Sequence, residues 1–338
     1  MADPPGGRNS TSPASSLHHL FTPPPHTEAQ AILATSTKEY RMKNLSLTAL
    51  ALVAMAAVPA TAADWSDTSF QYRTGTSFQE PANPDKLKKD IFNLTHVSGY
   101  SLGSNFFSVD MLKSEAKDPA NAAGSNGAQE VYVAYKHDLN LSKVLGMKLD
   151  FGPVRGVTLS TGFDYNAKNT QFAPSVFKIM AGPTFSLKVP GFLNVGVLYY
   201  NEKNHNAFGG FALSRGGAVN VSFKPTYQIA AAWGIPVALG DVSTSVKGFA
   251  TYTGAKGKDG SGVPTSPETL ARIYWMADLS PVFGCKKGTW QVGPGLEYWN
   301  NKFGDPTFAT VAEAHSYLSY ASVNPKTQCL MLAVEVHF

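Results

Sequence analysis

The end of the chain carries the most constraining pattern. Leu330, Leu332, Val334, Val336 and Phe338 are apolar, and Cys329, Met331, Ala333, Glu335 and His337 fall between them. Period two puts the two sets on opposite faces of a β-strand. The same alternation runs through Thr158–Tyr165, Arg272–Leu279 and Trp290–Asn301. These runs reach about 10–15 residues, whereas soluble strands usually have about 5–6. A tilted strand crossing a bilayer needs about 9–11. Each run therefore reads as a strand with one face toward hydrocarbon and the other toward water.

Composition agrees. Charged residues are 15% of the chain, against roughly 25% in an ordinary soluble domain, and aromatics are 12%. That excludes a disordered chain, which would be charge-rich and aromatic-poor. A net charge of +4 is too small for a polymeric nucleic-acid binder. Mean hydropathy is −0.13, too polar for a bundle of membrane helices.

The first 62 residues read as something other than fold. Residues 1–41 are rich in Pro, Ser, Thr and Ala and carry no period. We expect them to be disordered or a mis-assigned upstream segment. From Met42 the pattern changes: Lys43, an apolar run Leu45–Val58, then Ala60-Thr61-Ala62. A positive start, a short apolar core and an A-x-A site form a secretory signal peptide at 42–62, with 63–338 as the mature domain. Cys285 and Cys329 have no partner at disulfide-framework or zinc-ligand spacing, so no metal site is expected.

Twelve strands are expected, near 66–79, 89–101, 103–113, 129–138, 156–167, 175–188, 191–202, 216–231, 241–253, 268–283, 288–301 and 327–338. Short links alternate with long polar ones, the plan of an outer-membrane barrel. The fold class is thus all-β, a transmembrane antiparallel β-barrel of about 12 strands in a bacterial outer membrane, among its lipids. The link Leu139–Arg155 is too long for a tight turn and is expected to be a structured periplasmic connection. Phe70, Phe78, Tyr165, Tyr199, Trp290 and Tyr298 are placed for interfacial girdles. A closing strand that ends on Phe338 resembles the assembly signal of such barrels.

Leu141-Ser142-Lys143-Val144-Leu145 followed by Lys148-Leu149-Asp150-Phe151-Gly152-Pro153 resembles the segment between early strands of the Tsx-like nucleoside-specific channel family. Glu297-Tyr298-Trp299-Asn300 is similar to that family's penultimate strand, with Glu and Asn where the family has Arg and His. Val336-His337-Phe338 resembles its closing strand. The resemblance implies a monomeric twelve-stranded barrel through which nucleosides diffuse, binding weakly on the way.

Such a solute needs aromatic faces for its base and polar groups for its sugar. Base–aromatic stacking is worth about 1–3 kcal/mol per base. The inward set offers Phe106, Phe249, Tyr274 and Trp299 as faces. Its polar candidates are Asp110, Asp164, Lys178, Lys224, Arg272, Asp278, Glu297 and Asn301, with Arg73, Glu335 and His337 on the same faces. Charge on the lipid face at mid-membrane would cost about 2–4 kcal/mol, so all are assigned inward. Lumen charges also pair with one another across strands, and a general pore without nucleoside preference stays open as the alternative. The one Gly-x-Ser-x-Gly run, Gly99-Tyr100-Ser101-Leu102-Gly103, falls on the short link between two expected strands and not on the strand-to-helix turn of a nucleophile elbow, and no phosphate loop or cofactor motif is read, so an enzyme is not expected. His315-Ser316 falls in the expected last long loop, and one loop histidine beside a serine is a weak signal.

Overall fold

The computed structural model describes residues 63–81, 83–120, 126–207, 217–306 and 326–338. The signal peptide, the upstream segment, and most of the long 203–215 and 302–327 links lie outside the described residues.

The strands are β1 (Trp65–Phe78), β2 (Leu87–Tyr100), β3 (Gly103–Ser114), β4 (Gln129–Asn140), β5 (Val154–Lys168), β6 (Ser175–Leu187) and β7 (Phe192–His205). They continue with β8 (Asn220–Ser222), β9 (Thr226–Leu239), β10 (Val242–Thr253), β11 (Glu268–Asp278), β12 (Trp290–Asn300) and β13 (Thr327–His337). A one-turn helix, α1 (Leu141–Leu145), follows β4. Every pairing is antiparallel and joins sequence neighbours, except that β7 pairs with β9 and β1 with β13. The ring of twelve long strands is therefore closed. Closure leaves no strand edge unpaired, the condition for placing backbone in hydrocarbon.

One expected strand was displaced. Instead of 216–231 there is three-residue β8, paired with the end of β7, then a break at Phe223–Pro225 and β9 to Leu239. The sequence hid β9 because Ala230-Ala231-Ala232 gives no alternation to read and Pro236 breaks it. The expected strand 268–283 also stops early, at Asp278, because Asp278 accepts from the backbone N–H groups of Ser280 and Gly288 and so shapes the turn.

Alternation sorts the side chains as period two requires. Phe92, Met111, Phe177, Ile179, Tyr199, Ile273, Trp275, Leu330 and Leu332 are exposed on the outer wall. Arg73, Asn93, Asp110, Lys178, Glu202, Glu297 and Glu335 are buried within the ring. Phe78 corrects the girdle assignment. A bulge between Gly75 and Phe78 shifts the register, and Phe78 is 2% exposed against Leu87 and Ile91.

Both described chain ends, the Gly240-Asp241 turn and the 279–289 turn lie at one end of the barrel. The longer links 115–128, 206–225, 254–267 and 301–326 lie at the other. By the usual plan the short-turn end faces the periplasm.

Candidate functional site: the lumen

The inside of the barrel is crossed by paired charges at three levels. At the waist, Arg73 on β1 bonds Asp110 on β3. Asp110 also accepts from Asn93 Nδ2 at 2.7 Å and from Arg272 Nη1 on β11 at 3.3 Å. Arg272 in turn gives Nε and Nη2 to Glu297 Oε2 at 2.9 and 2.8 Å across the β11–β12 pair.

The Arg272–Asp110 contact fixes the shape of the bore. β3 and β11 stand five places apart in the ring of twelve. Strands about 4.8 Å apart and tilted about 40° would close a circle about 24 Å across, with these two almost opposite. An arginine and an aspartate reach only about 7 and 4 Å from their Cα atoms. With the 3.3 Å contact, the backbones there lie within about 14 Å. The ring is therefore flattened between β3 and β11, and the waist is narrow.

Two aromatic groups line this waist. The Arg272 guanidinium lies 5.4 Å from the Phe249 ring centroid. Tyr274 is buried over Gly295, its cross-strand partner, where even an added Cβ would meet the ring at 2.5 Å. The Tyr274 hydroxyl and Arg73 Nε have no hydrogen-bond partner among the described residues. Both atoms are enclosed by the packing of the waist.

Toward the short-turn end, Lys247 bonds Glu335, which also accepts from Gln71 Nε2 at 2.6 Å and meets His337 Nε2 at 2.6 Å. Phe106 is 37% exposed in this wider part, inward beside Lys136 of β4. An open recess of about 380 Å³ there is lined by Ser243, Ser245, Met276, Asp278, Lys287 and Gln291.

Toward the long-loop end the charges are denser. Glu80 lies against Lys89, Lys168 and Lys302, with Asp118 and Glu130 completing the cluster. The three lysines hold the Glu80 carboxyl well below the usual carboxylate range against the opposing effect of burial. Lys256 bonds Glu202 at 2.5 Å and Tyr200 donates to the same oxygen at 2.6 Å. Trp299 donates to Glu268 at 2.6 Å, with Lys302 4.4 Å over its ring. Lys178 gives a hydrogen bond to Tyr132 at 3.3 Å and stands directly across from Asp164.

The lumen candidates thus divide. Asp110, Arg272, Glu297, Phe249 and Tyr274 meet at the waist; Asp164, Lys178 and Trp299 lie above it and Phe106 below. Asp278 is spent on the turn. Lys224 is corrected: it sits in the β8–β9 break, exposed, and not on a lumen-facing strand position. Asn301 is corrected too: it lies past the end of β12 with φ 50, and its amide donates to Pro267 O at 2.7 Å.

Sequence reasoning missed Lys89, Glu130, Lys168, Tyr200, Glu202 and Glu268, although all share the inward parity of their strands. Glu80, Asp118, Lys256 and Lys302 come from loops, where no period marks a face.

Over 193 residues the chain is 25% identical to the outer membrane protein OmpK of Vibrio parahaemolyticus, covering 54% of this chain and 68% of that protein. A bacterial outer-membrane β-barrel is what the closed ring, its apolar outer wall and this relative describe. No protein-family model matches the chain. Among solved structures, an outer membrane channel from Pseudomonas putida F1 is 11% identical with a TM-score of 0.40, over 83% of this chain and 100% of that one. The KdgM porin in complex with disordered oligogalacturonate is 11% identical with a TM-score of 0.37, over 80% of this chain and 99% of that one.

Proposed function

We propose that this barrel is a monomeric outer-membrane channel for nucleosides and similar small polar aromatic solutes. The observation that carries the reading is the waist, where aromatic faces stand beside charges that neutralise one another. Arg73 and Arg272 are matched by Asp110 and Glu297. A bore of paired charges offers little net attraction to an anion or a cation. It suits a neutral solute that carries its own donors and acceptors. Phe249, half-buried beside the Arg272 guanidinium, supplies a face for a flat base. Several weak contacts in series favour passage over capture.

The test is conductance of the purified protein in a planar bilayer, titrated with a nucleoside, with free ribose and with a nucleoside monophosphate. Concentration-dependent block by the nucleoside alone is the expected result. Phe249→Ala should weaken that block about tenfold or more, as loss of one base–aromatic stack predicts. A current indifferent to nucleosides, or blocked equally by ribose, would refute nucleoside selectivity and leave a general pore.

A further inference from the structure

The connection between β4 and β5 is built as an ordered unit and yet presents apolar side chains outward. Asn140 caps α1 by accepting from Lys143 N at 3.1 Å, and Gly146 ends it with φ 65. Ser142 then holds the exit, accepting from Met147 N at 3.1 Å and, through Oγ, from Leu149 N at 3.2 Å. Lys188 ties the far side to Asp150 Oδ1 at 2.6 Å and to the Gly152 carbonyl at 3.1 Å. On this fixed frame Val144, Leu145, Met147 and Phe151 are all exposed.

The burial of one outward-pointing residue of β5 points to the connection lying on the outer side of the wall. On β5, Ser160 and Asp164 point inward, so Val157 and Leu159 point outward. Leu159 is 40% exposed, as a lipid-facing residue should be, but Val157 is only 9% exposed. α1, on the connection that leads into β5, lies against both β5 and β4. The exposed apolar residues therefore continue the lipid-facing belt at its periplasmic rim. The basic residues among them are Lys143, Lys148, Arg155 and Lys188, against one carboxylate, Asp150, a local balance of 4 − 1 = +3.

We propose that residues 141–155 form an interfacial anchor, with Val144, Leu145, Met147 and Phe151 seated among acyl chains and Lys143 and Lys148 on the phosphates of anionic glycerophospholipids in the periplasmic leaflet. Apolar side chains on one side of a short segment and lysines on the other match the chemistry of a headgroup boundary. Lysine stems reach through such a boundary with their charge in the polar layer. The proposal rests on the barrel and its outer wall, and is independent of what passes through the bore.

The experiment places a nitroxide at Leu145→Cys in a Cys285→Ser background; Cys329, 0% exposed, stays unlabelled. The full barrel is refolded into phosphatidylcholine vesicles with and without phosphatidylglycerol. Heat-modifiable mobility on a gel confirms folding. The anchor predicts faster relaxation by oxygen than by a water-soluble nickel chelate. It also predicts that the unlabelled barrel selects spin-labelled phosphatidylglycerol over spin-labelled phosphatidylcholine, and that Lys143→Gln with Lys148→Gln lowers this preference roughly fivefold per lysine. A label relaxed mainly by nickel overturns the proposal. So does an unchanged lipid preference in the double variant, or protection of the label that appears only on adding a soluble periplasmic protein.

Discussion

Asp110→Asn is the substitution that tests the waist most directly. Arg73 is 1% exposed, bonds Asp110, donates to Gln71 Oε1 at 3.3 Å, and has an Nε without a partner among the described residues. Removing the Asp110 charge leaves that guanidinium buried with only a neutral amide nearby, and leaves Arg272 facing it as a like charge. Removing one partner of a buried pair costs about 3–5 kcal/mol. Asparagine keeps one acceptor oxygen for Arg73, so about 3 kcal/mol is expected, at the low end of that range. The exposed pair Lys117–Asp85, with side chains 56% and 51% exposed at 3.8 Å, is the reference. Asp85→Asn should cost under about 1 kcal/mol. Both variants are folded into vesicles and unfolded in urea. With a slope of about 2–3 kcal/mol per molar, the Asp110→Asn midpoint should fall by about 1 M or more. Combining Asp110→Asn with Arg73→Gln should be less destabilising than the sum of the two, because the second change removes the stranded charge. Equal midpoints for Asp110→Asn and Asp85→Asn would refute the claim that the waist pair is both formed and dry.

Gly295→Ala should drive the Tyr274 ring off its seat, because the new Cβ would stand 2.5 Å from Cδ1. A loss of about 1–3 kcal/mol in the same urea assay is expected, as for other overpacked sites, with an altered single-channel current. At the long-loop end, burial and then the neighbouring Asp259 charge push the Asp305 carboxyl up to about 7. The folded form thus holds a proton that the unfolded form releases near pH 4, so this stabilising contribution is full at low pH and fades as pH rises through about 7. Hydrogen exchange in residues 254–267 should quicken from pH 5 to pH 8 beyond the intrinsic rate, and Asp305→Asn should flatten that excess. Cys285 lies exposed in the short turn and Cys329 buried at the other end of the barrel. In the folded protein a maleimide should modify Cys285 and spare Cys329, and mass analysis should find no disulfide between them.

Ten of the twelve long strands both begin and end within about three residues of where the sequence puts them, because a side-chain period of two is a local property of the chain. β9 escaped because Ala230, Ala231 and Ala232 fit either face, and small residues leave the period silent. Phe78 escaped because a bulge adds a residue that a period cannot foresee. Inward parity found Asp110, Arg272, Glu297, Phe249 and Tyr274, but not that they meet.

The order of apolar and polar residues along the chain determined that it closes into a barrel with an oily wall and a polar bore. Which charges neutralise which was decided only by closure. Asp110 and Arg272 are 162 positions apart in sequence and on strands almost opposite in the ring. No local signal can pair them, since their distance depends on how many strands close the ring and how far it is flattened.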